Sequence, residues 1–86
     1  MNSKYCRFVR EPLGNKKIDT VNGVGKVNSR RFKTKGYNYA SNLVGVFMML
    51  NNNRSLFEDC LKHNGISYQS IPFVADSIEE WVRLNA

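Results

Sequence analysis

Apolar residues recur at helical spacing along almost the whole chain and nowhere alternate in the manner of a strand. Ser3 to Arg10 reads as a short amphipathic helix anchored by Phe8 and Val9, and Pro12 and Gly14 predict its end. Ile18 to Asn22 predicts a single helical turn with Ile18 and Val21 on one side. Lys26 to Lys35 predicts the next helix, with Val27 and Phe32 facing inward and Gly36 closing it in a left-handed cap. Tyr37 to Leu50 predicts the longest apolar helix, striped by Tyr37, Ala40, Val44, Phe47 and Met48. Leu43, Val46, Met49 and Leu50 extend its apolar surface around the other sides, which predicts burial on more than one side. After a turn at residues 51–54, Ser55 and Glu58 predict a capping box for a helix that packs Leu56, Phe57, Cys60 and Leu61 and stops at Gly65. The last helix carries the stripe Ile71, Val74, Ala75, Ile78, Trp81 and Val82. Pro72 favours Ser70 over Ser67 as its cap, because proline suits a first turn.

This pattern predicts an all-α, small and compact helical domain spanning residues 1–86, with no repeat, low-complexity segment or linker. A chain of 86 residues buries only about 60–65% of its unfolded surface, and dimerisation is a usual way to enlarge such a core. Gly45 inside the long helix costs about 1 kcal/mol relative to Ala, and close approach of another backbone is a reason to keep it. The helix around Val44, Gly45, Met48 and Met49 is therefore the candidate dimer interface. A well-buried core helix of a monomer is the competing reading.

Charge changes the picture next. Residues 1–36 hold ten Lys/Arg against Glu11 and Asp19, whereas residues 37–86 hold three Lys/Arg against five acids. A basic half joined to a mildly acidic half predicts one face for a polyanion and another for packing or a partner. The densest clue lies at Asn22-Gly23-Val24-Gly25, which leads into Lys26, Arg30, Arg31, Lys33 and Lys35. Glycines let a backbone turn sharply and come close to a ligand. A helix start then offers free N–H groups and a positive dipole end to an anion, and the cations add longer-range attraction. This combination predicts a sequence-independent hold on DNA phosphates. The region of residues 18–36 is thus the candidate helix-hairpin-helix.

Other chemistry is sparse. Cys6 and Cys60 lack metal or redox spacing and read as buried free thiols of a reducing compartment. His63, the single histidine, reads as a helix C-terminal residue, and no metal site or cofactor is predicted. The polar N-terminus predicts no secretory leader, and no apolar run approaches 18 residues, so no membrane insertion is predicted. A glycosylase of the helix-hairpin-helix kind would need Lys26 with Asp59 or Asp76, together with a second lobe to hold a flipped base. The chain is too short for that lobe, so the protein is predicted not to be an enzyme. Tyr5, Tyr39 and Tyr68 are predicted to pack at helix edges and not to stack on bases.

Taken in order, Phe8-Val9, Glu11-Pro12-x-Gly14, Gly23-Val24-Gly25, Gly36-Tyr37, Val44-Gly45-x-Phe47, Leu56-Phe57 and Glu80-Trp81 resemble the barrier-to-autointegration factor family over about Lys4 to Trp81. The resemblance implies a SAM-like, dimeric fold that binds double-stranded DNA without sequence preference and bridges two duplexes, as a chromatin-organising or DNA-shielding factor of nucleus and cytoplasm. It implicates Lys4 and Arg31 in DNA contact through charge, and Gly23, Gly25 and Val27 through backbone N–H groups. Val24, Lys26 and Arg30 belong to the same candidate surface. The loop Ser67 to Gln69, with Tyr68 at its centre, would give a second backbone contact with phosphate.

The chain departs from the family at several points. Asn51 and Asn52 stand where it usually has lysines, Cys60 where it has a tryptophan, and Gln69 and Pro72 near a lysine and an arginine. Asn51, Asn52 and Cys60 weigh against the family's LEM-domain partners of the nuclear envelope. Gln69 and Pro72 weigh against the second phosphate contact. The family's N-terminal Ser/Thr cluster is reduced to Ser3. The pattern suits a divergent member or a paralogue. It also leaves open an interaction module that has lost DNA binding and dimerises with a related subunit, or a heterodimer in place of a homodimer.

Overall fold

A computed structural model describes residues 3–86. Among these residues the fold is all-α: α1 spans Ser3–Arg10, α2 Lys26–Thr34, α3 Ala40–Met49, α4 Arg54–His63 and α5 Ile71–Asn85, with a 3₁₀ turn at Ile18–Thr20 between α1 and α2. The only extended pairing among them is an isolated bridge between Lys17 and Tyr39. It holds the 3₁₀ turn against the start of α3 through Ile18 N–H to the Asn38 carbonyl and Ala40 N–H to the Lys16 carbonyl, each 3.0 Å. α5 is the central element, packed by α1, α3 and α4. The core joins Phe8, Ile18, Val21, Val24, Phe32 and Leu43 to Phe47, Phe57, Leu61, Val74 and Ile78, all but fully buried. Phe47 and Phe57 meet edge to face at 5.2 Å between centroids.

Three helices end the same way. After α2, α3 and α4 a residue at positive φ takes the chain out of the helix: Gly36 (89°), Asn51 (59°) and Gly65 (80°). The next residue then donates back to the last turn: Tyr37 to the Phe32 carbonyl, Asn52 to Phe47 and Ile66 to Leu61. This is the Schellman arrangement, in which asparagine can replace glycine. It corrects the expected start of the third long helix. Tyr37 lies outside α3 and serves as the apolar residue after the α2 cap, edge-on to Phe32 at 6.1 Å. α3 begins at Ala40 because Asn42 Oδ1 accepts the N–H groups of Asn38 (3.1 Å) and Tyr39 (3.0 Å).

Two further expectations are corrected. Asn53, not Ser55, caps α4: its Oδ1 accepts Leu56 N–H at 3.0 Å. Glu58 is engaged instead by Arg54 Nε at 2.7 Å. Arg54 also meets Asp76 and Glu79 across α5 at 2.8 and 2.9 Å. Burial disfavours its charge, but the carboxylates of Glu58, Asp76 and Glu79 outweigh this and raise its pKa. Second, the inward residues of α2 are Asn28, Ser29 and Phe32, while Val27 is 56% exposed. Within the single chain α3 buries one face, through Ala40, Leu43, Val44 and Phe47, and leaves Met48 and Met49 exposed. Cys6 and Cys60 are free and half-buried.

Gly23 is fixed by the fold itself. Its φ is +94°, and an added Cβ would lie 3.0 Å from Phe73 Cβ, Val74 Cγ2 and the Val74 backbone nitrogen. Gly23→Ala is therefore expected to destabilise the protein by at least about 2 kcal/mol. For a chain this small, that lowers Tm by about 10 °C. Gly25→Ala, where a Cβ meets nothing within 4 Å, should leave Tm nearly unchanged. Thermal unfolding of the two variants checks the pair, and equal Tm values would refute the assignment of Gly23 to packing.

Candidate nucleic-acid interface

The hairpin between the 3₁₀ turn and α2 is built by dividing labour among consecutive residues. Val24 sends its side chain into the core, 1% exposed, and its N–H donates to the Val21 carbonyl at 3.0 Å, so it anchors the hairpin from within. Gly25, extended at φ −95°, is the residue before α2, and its carbonyl accepts Ser29 N–H at 2.8 Å. The N–H groups of Lys26 and Val27 fall in the first turn of α2, where a helix has no internal partner for them. Lys4, on α1, reaches the hairpin: its Nζ donates to the Val24 carbonyl at 3.2 Å.

Asn28 is the organiser that sequence reasoning missed. It is 5% exposed. Its amide nitrogen donates to the Gly23 carbonyl at 3.3 Å, and its Oδ1 accepts the N–H and hydroxyl of Ser67 at 3.2 and 3.1 Å. One buried side chain thus ties the hairpin to the loop before α5. The available signal was an asparagine at a position where a helix facing the core calls for an apolar residue.

A groove of about 770 Å³ runs from the hairpin along α2, lined by Lys4, Val24, Gly25, Lys26, Ser29 and Arg30, with Lys33, Thr34 and Asp19 completing it. The structure therefore brings together Lys4, Val24, Gly25, Lys26 and Arg30. It sets Arg31 in a separate depression with Lys35 and Asn64, where its Nη1 donates to the Gly65 carbonyl at 2.6 Å. Tyr68, 83% exposed, lines a separate depression with Glu58, Asp59 and Lys62. Lys33, one of the cations that the sequence places after the hairpin, also lines the groove. Asp59 and Asp76 do not line the groove that holds Lys26; Asp76 is bound to Arg54. His63 ends α4, its Nδ1 2.7 Å from the Asp59 carbonyl. Among the described residues no cluster of His, Cys, Asp and Glu suits a metal ion, and no helix is long and apolar enough to cross a membrane.

On the opposite score, α3 presents Gly45, Met48 and Met49 to solvent. A Cβ on Gly45 would meet nothing within 4 Å, so no packing inside the chain accounts for that glycine. Val44, in contrast, is 5% exposed and belongs to the protein's own core. Asn51 and Asn52 both have φ near +59°, at 59° and 58°, a region that asparagine enters more readily than lysine.

These features define a small all-α protein whose basic face is organised around one hairpin. The family model for barrier to autointegration factor matches residues 1–85. Over 61 residues, 71% of this chain and 68% of the relative, the chain is 34% identical to barrier-to-autointegration factor of Mus musculus. The same span is 33% identical to that of Drosophila melanogaster and 31% identical to that of Homo sapiens. The chain belongs to the barrier-to-autointegration factor family.

Proposed function

We propose that residues 1–86 form one domain that binds double-stranded DNA without reading its sequence, through a helix-hairpin-helix over residues 18–36. The observation that carries this reading is Gly25. It stands at the head of α2 on the basic groove, and nothing in the fold occupies the space its missing side chain leaves. A phosphate there would meet the N–H groups of Gly25, Lys26 and Val27 and the charge of Lys4 and Lys26, with Arg30 one turn further along α2. Gly23 sets the turn and Val24 anchors it. Through Asn28 the Ser67–Gln69 loop is held beside the hairpin, which suits a second backbone contact near Tyr68. Arg31 acts from the neighbouring depression.

In this proposal the outer face of α3 pairs two copies, or a copy and a related subunit, through Gly45, Met48 and Met49, with Val44 supporting them from beneath. The dimer then bridges two duplexes, which suits chromatin organisation or DNA shielding in nucleus and cytoplasm. No catalytic step, cofactor or metal is proposed. LEM-domain partners are not proposed either, given Asn51, Asn52 and Cys60.

Titration with two duplexes of unrelated sequence at several salt concentrations tests the reading. Both should bind within a few-fold of each other, with log K falling by about 0.9 per phosphate neutralised for each unit of log salt. A strong preference for one sequence would contradict it, because backbone contacts do not distinguish bases. No binding at low salt would favour the DNA-binding-deficient interaction module instead.

A further inference from the structure

Lys26, Arg30 and Lys33 stand at i, i+4 and i+7 on α2 and so share one face. At 1.5 Å of rise per residue the stripe extends about 10 Å beyond the hairpin. Many cations of the chain are already engaged. Arg7 and Lys16 pair with Glu11, Arg54 with three carboxylates, Arg83 with Glu80, and Arg31 with a carbonyl. Among the described residues the Lys26, Arg30 and Lys33 side chains have no such partner, and all three converge on the groove with Lys4. Asp19 is the one carboxylate in its lining.

We infer that the groove along α2 is a second phosphate-binding tract, which takes further backbone phosphates of the same duplex held by the hairpin. The inference rests on the proposed DNA binding and extends it. The hairpin offers backbone N–H groups at one point, so it holds one phosphate in a fixed position. The tract carries flexible side-chain charge along α2 to Lys33, about 10 Å further on, too far for that end to serve the same phosphate. Lys33 is the distal end of the tract. Thr34 turns its hydroxyl to the Arg30 carbonyl at 2.8 Å, which leaves cations as the groove's main ligands. Asp19 opposes phosphate entry and so tempers affinity.

Fluorescence anisotropy on a short duplex across a salt series tests the tract, using Arg30→Gln/Lys33→Gln and Asp19→Asn with the hairpin untouched. All three positions are exposed, so the fold should survive, which circular dichroism verifies. The double variant should lower the magnitude of the salt slope by about 1.8, two contacts at about 0.9 each, while still binding. Asp19→Asn should bind several-fold more tightly at low salt. Wild-type binding with an unchanged slope in the double variant overturns the tract and leaves the hairpin reading standing. Failure of the wild type to bind overturns both.

Discussion

Gly25→Glu is expected to weaken duplex binding by at least about 100-fold, equivalent to about 2.7 kcal/mol, while leaving the helices intact. The structure separates the two effects. A side chain at residue 25 points into open space, and φ there is negative, so the fold accepts it. The added carboxylate sits at the start of α2, where a negative charge favours the helix dipole by about 0.3–1 kcal/mol. Stability should therefore hold or rise slightly. In the complex the same carboxylate occupies the place of the phosphate and repels its neighbours. Binding and stability thus move in opposite directions, which a merely unfolded variant would not reproduce. A gel shift and a thermal melt on one sample settle it. Undiminished binding would remove the hairpin from the interface.

Gly45→Glu should act on bridging alone. A glycine in the middle of a helix costs about 1 kcal/mol relative to Ala, and nothing inside the chain packs close enough to require it. Met48 and Met49 flank it, 48% and 84% exposed. A two-fold contact on this face would bring the patch onto its own copy. A glutamate buried there without a partner costs several kcal/mol, enough to take a small dimer apart. Light scattering should report two chains of 9.9 kDa each for the wild type and one for the variant. The monomer should still bind a duplex but no longer hold two together. A wild-type mass of one chain at micromolar concentration would contradict the dimer and, with it, the bridging role.

The elements with a continuous apolar stripe were legible in the sequence. α1 and α5 fall where Phe8-Val9 and the Ile71 to Val82 stripe place them. Expectation failed where a polar side chain bonds across the chain. Periodicity alone extends α3 back to Tyr37, because an apolar residue after a Schellman cap has the same spacing as one inside a helix. Ser55 and Glu58 fit the capping pattern, but Asn53 lies one residue before α4, and Arg54 engages Glu58. Val27 was expected inside because it is apolar. Asn28 is inside because both ends of its amide are satisfied by Gly23 and Ser67, from segments 5 and 39 residues away in sequence. The hairpin and its cations were legible as a local motif. The groove's extent depends on how α1 and the 3₁₀ turn meet α2, the separation of Arg31 from Arg30 on the Gly65 carbonyl after α4, and the position of Tyr68 on the loop between α4 and α5.

Chemical-shift mapping with a short duplex tests the central claim most directly, because it reports the contact residue by residue on the unaltered protein. The amide resonances of Gly25, Lys26 and Val27 should move most, those of Gly23 and Ser67 next, and those of Met48 and Met49 on α3 hardly at all. Largest shifts on α3 or α4, with the hairpin amides unmoved, would contradict the account.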